Sequence, residues 1–215
     1  MNLDLFTDNT MQTRETICEG AMLLRGFALP FESELLQDIN TVILTMPPRQ
    51  MFTPSGLSMS VTTTSCGDAG WVSDARGYRY SKRDAQSQQR WPAMPNSFFT
   101  LATQAAHEAG FENFVPDSCL INRYTVSAKM SLHQDKDEKD FSQPIVSVSL
   151  GLPATFLLGG LARTDKTTKI PLVHGDVIIW GASARLFFHG VLPIKAGSHP
   201  LLGEQRINLT FRKAL

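Results

Sequence analysis

Residues 145–160 read IVSVSLGLPATFLLGG, and their reading decides the fold. IVSVSLG (145–151) and ATFLLGG (154–160) are short, apolar and bounded by Gly and Pro, which favours two strands over one buried helix. Working outward, the same grammar recurs. CLINRYTV (119–126) lies before them, and KIPLV (169–173), DVIIWG (176–181), RLFFHGV (185–191) and RINLTFR (206–212) lie after. Strands at this spacing, with turn residues between them, point to a sandwich or jelly roll over residues 117–213.

The half before this core reads differently. FESELLQDINTVILTM (31–46) puts Leu35, Ile39, Val42, Ile43 and Met46 on one helical stripe, ended by Pro47-Pro48. A second helix is expected over 95–109, with Pro95 in its first turn, Phe98, Ala102, Ala105, Ala106 and Ala109 on one face, and Gly110 at the stop. Both would pack outside the roll. MLLRGFAL (22–29) reads as a short strand, and residues 1–20 as a loosely held polar arm before a single domain spanning 21–215. Between the helices, residues 49–94 are rich in Ser, Thr, Gly, Gln and Arg with interspersed aromatics. Short strands fit 59–66 and 77–81, and the whole segment is expected to cover the core as a lid.

Composition sets limits on function. The chain of 215 residues carries a formal net charge of zero, with 42% hydrophobic and 19% charged residues. No bulk field draws it to nucleic acid or membrane, so polyanion binding must come from a local patch. Cys18, Cys66 and Cys119 show no C-x-x-C spacing, which argues against a disulfide framework or zinc knuckle. The opening MNLDLFTDNT lacks the blocks of a signal peptide, and no apolar run is long enough to span a membrane. A soluble, cytoplasmic monomer is expected.

The chemistry centres on SLHQDKDE (131–138). His133 and Asp135, two apart, can converge on one ion, and His189, late on an apolar strand, could complete the two-histidine, one-carboxylate set that holds non-haem Fe(II). A charged loop and a satisfied core histidine fit the same spacing. A second H-x-D, His174-Gly175-Asp176, reads as a tight structural turn. In RINLTFR, Arg206, Asn208, Thr210 and Arg212 share one face, opposite Ile207, Leu209 and Phe211. That polar face either meets solvent or lines a cavity suited to a small dianion, since arginine offers carboxylates a bidentate fork. Asn122 and Tyr124 could complete such a cavity.

Taken in order, NRYTVSAKMSLHQDKDE, IVSVSLGLPATFLLGG, HGDVIIWGASARLFFHG and RINLTFR resemble the AlkB family of Fe(II)- and 2-oxoglutarate-dependent dioxygenases, from about residue 20 to 213. The resemblance implies a mainly β double-stranded β-helix with outer helices and a nucleotide-recognition lid. It implies His133, Asp135 and His189 as iron ligands, and Arg206 on the distal carboxylate of 2-oxoglutarate. Asn122, Tyr124, Asn208, Thr210 and Arg212 would complete that site, with O2 as the other co-substrate. The substrate implied is alkylated DNA, single-stranded or base-flipped, with RNA as a second class. Methyl groups at N1 of adenine or N3 of cytosine would leave as formaldehyde while 2-oxoglutarate becomes succinate and CO2.

The lid would then recognise the base. Trp71 would stack on it opposite His133, with Tyr78, Arg79 and Tyr80 on the backbone beside it. Asp137 would select cationic methylated bases, and Lys129 and Arg163 would touch phosphate or base. Lys136, Glu138 and Lys139 read as exposed charges. From 73 to 90 there are five basic residues against Asp74 and Asp84, a composition that suits base stacking with phosphate contacts, although composition alone favours a solvated surface loop. Three rivals remain: a hydroxylase of the same chemistry acting on a small molecule or protein, a non-enzymatic jelly-roll binding module, and a zinc hydrolase, which leaves the two inward arginines unexplained.

Overall fold

The computed structural model describes residues 13–215. In chain order, β1 (Arg14–Cys18) and β2 (Ala21–Leu24) form a hairpin that leads to α1 (Glu32–Thr45). β3 (Arg49–Phe52), β4 (Ser58–Gly67), β5 (Gly70–Asp74) and β6 (Gly77–Ser81) precede α2 (Asn96–Glu108). Then come β7 (Ser118–Thr125), β8 (Met130–His133), β9 (Ile145–Gly151) and β10 (Ala154–Leu158). β11 (Thr168–Leu172), β12 (Val177–Trp180), β13 (His189–Val191) and β14 (Gln205–Arg212) complete the chain. No helix among the described residues is long and apolar enough to cross a membrane.

The strands form an eight-stranded sheet, ordered β1-β2-β12-β9-β14-β7-β4-β3, and a four-stranded sheet, ordered β11-β10-β13-β8. All pairings are antiparallel, as in a jelly roll. Strand alternation explains the layers. Ile207, Leu209 and Phe211 of β14 join Val146 and Val148 of β9 and Val177 and Ile179 of β12 in one buried cluster with the helical stripe Leu35, Ile39 and Val42. Phe98 of α2 meets Phe211 edge-on, with ring centroids 5.8 Å apart; Phe211→Ala here would cost about 3–5 kcal/mol. The opposite faces of the same strands look inward. There Ile178 and Trp180 pack with Phe156, Leu158 and Ile170 of the smaller sheet.

The second H-x-D is structural, as the sequence implies. Asp176 accepts from Arg25 Nη1 at 2.8 Å and from the Val173 N–H at 2.9 Å. His174 Nδ1 accepts from the Gly151 N–H at 2.9 Å, and its Nε2 bonds Glu32 at the start of α1 at 2.6 Å. Gly175 between them has φ +86, and a Cβ there would lie 2.6 Å from Leu29.

Three expectations change. The arm expected over 1–20 falls outside the described residues for 1–12, but Arg14–Cys18 is a strand on the sheet edge. Its RETIC sequence is polar because an edge strand needs only one partner. The cover expected over 49–94 is divided: β3 and β4 extend the main sheet, β4 pairing with β7 from Thr62↔Arg123 to Gly67↔Ser118. Only β5 and β6 stand apart, as a two-stranded sheet. RLFFHGV is strand only from His189, because the chain turns through a short 3-10 helix, Ala182–Ala184, before it.

Candidate active site

β8 and β13 are neighbours in the smaller sheet, and their register sets His133 directly opposite His189. The two rings lie with centroids 4.4 Å apart. Gly190 permits this approach, since a Cβ there would fall 2.7 Å from the Met130 carbonyl. Asp135 sits two residues beyond β8, its carboxylate oxygens 3.6 Å from His133 Nε2 and 3.8 Å from His189 Nε2. One ligand atom from each of the three lies within 4.8 Å of the others.

Each histidine is oriented from behind. His133 Nδ1 bonds the Ser131 carbonyl at 2.9 Å, and His189 Nδ1 bonds the Phe187 carbonyl at 3.0 Å. A carbonyl only accepts, so Nδ1 carries the proton and Nε2 turns its lone pair toward the centre. Burial, with His133 beside it, pulls His189 down to about 3, so it is the neutral imidazole that a metal requires. Burial opposes ionisation of Asp135, but the hydrogen-bonded Arg212 guanidinium outweighs it and holds the carboxyl well below the usual carboxylate range. The set suits a divalent metal with open positions.

Beside this centre, the inward face of β14 is buried. Asn208 Nδ2 donates to Ser147 Oγ at 2.8 Å, Thr210 donates to Asn208 Oδ1 at 2.9 Å, and Asn122 stands opposite Asn208 on β7. Arg206 is 1% exposed. It donates one bond, to Ser149 Oγ at 2.9 Å, and lies over the Tyr124 ring at 4.9 Å. Among the described residues its Nε and Nη1 have no hydrogen-bond partner, nor has Arg212 Nη1. A buried guanidinium with two unsatisfied nitrogens is costly. A carboxylate ligand answers both its charge and its free donors, so these residues fit 2-oxoglutarate.

A model of the 2OG-Fe(II) oxygenase superfamily matches residues 20–212. Over 212 residues the chain is 53% identical to the alpha-ketoglutarate-dependent dioxygenase AlkB of Escherichia coli (strain K12), covering 99% of this chain and 98% of that one. The chain belongs to the AlkB family. It is 33% identical over 172 residues to the DNA N(6)-methyladenine demethylase ALKBH1C of Arabidopsis thaliana, covering 69% of this chain and 38% of that protein. The solved structure of OsALKBH1 superposes with a TM-score of 0.83 at 29% identity, covering 94% of this chain and 100% of that one. With the family comes the activity class: this AlkB-family chain is an Fe(II)- and 2-oxoglutarate-dependent dioxygenase.

Over the centre lies the β5–β6 hairpin. The Trp71 indole N–H donates to Asp137 at 2.8 Å, and its ring stacks on Tyr78 at 5.3 Å. Tyr80 donates its hydroxyl to Glu138 at 2.7 Å. Arg79 takes the other face of the hairpin, paired in register with buried Val72, and grips Asp74 through two bonds of 2.8 Å. The structure therefore separates Arg79 from Tyr78 and Tyr80, which the sequence reading grouped together. Lys129 is exposed with its backbone tied to Ser60, while Arg163 bonds the Leu132 carbonyl beside His133 and covers Phe188 at 4.9 Å.

Glu138 is not the exposed charge that its charged neighbourhood implies. It is buried, accepting from Tyr80, from Arg185 Nη2 at 3.0 Å, and lying 3.3 Å from Arg212 Nε. Arg185, also buried, donates to the Asp135 carbonyl at 2.7 Å. Arg212 itself grips Asp135 Oδ2 through Nε at 2.9 Å and Nη2 at 2.5 Å. This network joins the hairpin, the metal carboxylate and β14. Sequence reading missed Glu138 and Arg185 because their partners lie far along the chain.

Proposed function

We propose that the protein removes methyl groups oxidatively from ring-nitrogen-alkylated bases of the 1-methyladenine and 3-methylcytosine type, in single-stranded or base-flipped DNA and in RNA. The observation that carries this reading is the Trp71–Asp137 bond, two residues along the chain from Asp135. It sets an aromatic face and a carboxylate together at the mouth of an oxidising centre, a combination matched to a flat cation. A methylated ring nitrogen gives the base that charge, and a base must leave the stack to reach such a site. The nucleic-acid action named for the Arabidopsis relative supports the same substrate class.

In this reading His133, Asp135 and His189 hold the iron, and Arg206 binds the distal carboxylate of 2-oxoglutarate. Arg212, Asn122, Tyr124, Asn208 and Thr210 shape the rest of that site. Iron with 2-oxoglutarate and O2 supplies hydroxylation of the N-methyl group, with succinate and CO2 as co-products. Trp71 and Tyr78 hold the base, Asp137 offsets its positive charge, and Tyr80 fixes the hairpin through Glu138. Lys129 and Arg163 flank the entrance. Loss of formaldehyde from the hydroxylated methyl restores the neutral base. Residues 21–215 act as one catalytic domain with β5–β6 as its lid, and the chain works as a cytoplasmic monomer, in keeping with three free cysteines.

The test is mass spectrometry of a single-stranded oligonucleotide carrying one 3-methylcytosine, with Fe(II), 2-oxoglutarate and air. Loss of the methyl mass together with succinate, dependent on both additions, is the expected result. Succinate without methyl loss would overturn the nucleic-acid reading while leaving the oxygenase.

A further inference from the structure

Behind the hairpin, on the face opposite Tyr78 and Tyr80, is a cleft of about 330 Å³ lined by Arg76, Arg79, Lys82, Arg83, Gln88 and Arg90, with Ser81 and Ala85. Among the described residues no acidic side chain lines it. We propose that this cleft binds the phosphodiester backbone of the substrate strand, a few nucleotides from the extruded base. The proposal rests on the nucleic-acid reading above and extends the footprint beyond the catalytic pocket.

Three of the five charges here, Lys82, Arg83 and Arg90, have no acidic partner among the described residues. Asp74 is occupied by Arg79 and Arg76. Asp84 is buried against Arg49, away from the cleft surface. The chain as a whole is neutral, so three unpaired cations beside the Arg76–Asp74–Arg79 group form a concentrated local field rather than a share of a basic protein.

Their arrangement is also built rather than accidental. Arg83 and Arg90 stand directly opposite each other in an antiparallel bridge. Like charges in that position are destabilising unless an anion lies between them. The turn joining them is fixed from inside, since Asp84 accepts from the Ser87 N–H at 2.7 Å, the Ser87 hydroxyl at 2.8 Å and the Gln86 N–H at 3.2 Å. Arg83 Nη1 spends one bond on the Gln88 carbonyl at 2.8 Å. The cations are thus exposed on a pre-formed frame.

The position selects a polymer. Among the described residues β6 pairs with β5 alone, leaving its other edge without a strand partner. A strand whose extruded base reaches Trp71 on one face of the hairpin can pass over that edge and lay its phosphates in the cleft. Cations spread from residue 76 to 90 suit successive phosphates better than a single small anion.

The experiment compares wild type with the triple variant Lys82→Gln/Arg83→Gln/Arg90→Gln on 3-methylcytosine oligonucleotides of 5 and 20 nucleotides. All three side chains are exposed, and an unchanged thermal midpoint confirms the fold. The variant should raise KM for the 20-mer about tenfold and lower the slope of log affinity against log salt by about 2, from ~0.7 per phosphate contact. Its kinetics on the 5-mer should match wild type. Unchanged 20-mer KM and salt slope, with wild type active, would overturn the cleft. Inactivity of wild type on both lengths would instead defeat the demethylase reading. Anisotropy with an unmethylated 20-mer would then still test the cleft by the same salt slope.

Discussion

The interior of the roll and the hairpin above it solve recognition in different ways. Inside, the side chains of β14 that face the cavity are held by strands on both sides. Arg206 stands between Tyr124 of β7 and Gly151 of β9, and Asn208 between Asn122 and Ser149. The hairpin instead touches the core through side-chain tips, Trp71 on Asp137 and Tyr80 on Glu138. Trp71 and Tyr78 are part-exposed or exposed. The chemistry is therefore anchored where the backbone forbids movement, and selection is placed where contacts can be exchanged for those of a base. Changes inside should be all-or-none, and changes on the hairpin graded.

The largest effect tests the interior. His133→Ala removes one ligand from a set whose partners are fixed, His189 by the register of β13 and Asp135 by the grip of Arg212. Demethylation and 2-oxoglutarate-dependent succinate formation should both fall by at least about a thousandfold, measured with matched iron. Appreciable residual turnover would mean that the metal set is another.

Arg206→Met sharpens the same point through two opposed readouts. Without its carboxylate partner, the arginine is a buried charge, and replacing it with an apolar chain of similar length should leave the metal-free protein as stable or raise its thermal midpoint. The KM for 2-oxoglutarate should rise by about a hundredfold, the scale of two charged hydrogen bonds at ~1.5–3 kcal/mol each. A fall in stability with unchanged KM would make Arg206 a structural residue.

The pH behaviour of the metal-free protein is a subtler probe of the interior. His189 titrates near 3 when folded against an ordinary 6.5, so between those values the unfolded chain binds the extra proton. Stability is then full above about 6.5 and is lost as pH falls toward 3, by up to about 1.4 kcal/mol per pH unit. Urea unfolding of wild type and His189→Asn across pH 4–7 should show a shallower slope in the variant. Equal slopes would assign the acid sensitivity elsewhere.

What the sequence made legible follows the same division. The alternation of RINLTFR separated an apolar from a polar face, because a period of two survives whatever the neighbours are, while the burial of the polar face came only with the fold. The pairing of His133 with His189 was legible as a motif, though the Gly190 contact that permits it was not. Glu138 was misread because four charged residues in SLHQDKDE look solvated, and its burial depends on Tyr80 and Arg185 from distant segments. β4 was read as part of the cover because MSVTTTSC is polar. In the sheet, Thr63 and Ser65 line the interior beside Asn122 and Leu120, and Thr64 bonds the Met46 carbonyl behind α1. Polarity there marks a buried polar interior, not an outer surface.

The smallest effect belongs to Asp137, and its direction is the informative part. Its carboxylate is exposed and bonded to Trp71, so Asp137→Asn keeps a hydrogen-bond acceptor while removing the charge. A partly exposed charge facing a cationic base contributes about 1 kcal/mol, the upper end for exposed ion pairs. The ratio of kcat/KM for 3-methylcytosine over a neutral methylated base should therefore fall roughly fivefold, with turnover of the neutral base preserved. Discrimination at the wild-type level would show that the Trp71 face alone selects. Equal loss for both bases would show that Asp137 serves to hold Trp71 in place. Trp71→Phe separates these cases: it deletes the N–H but keeps a stacking ring, so it should lower affinity for both bases and leave the charge preference intact.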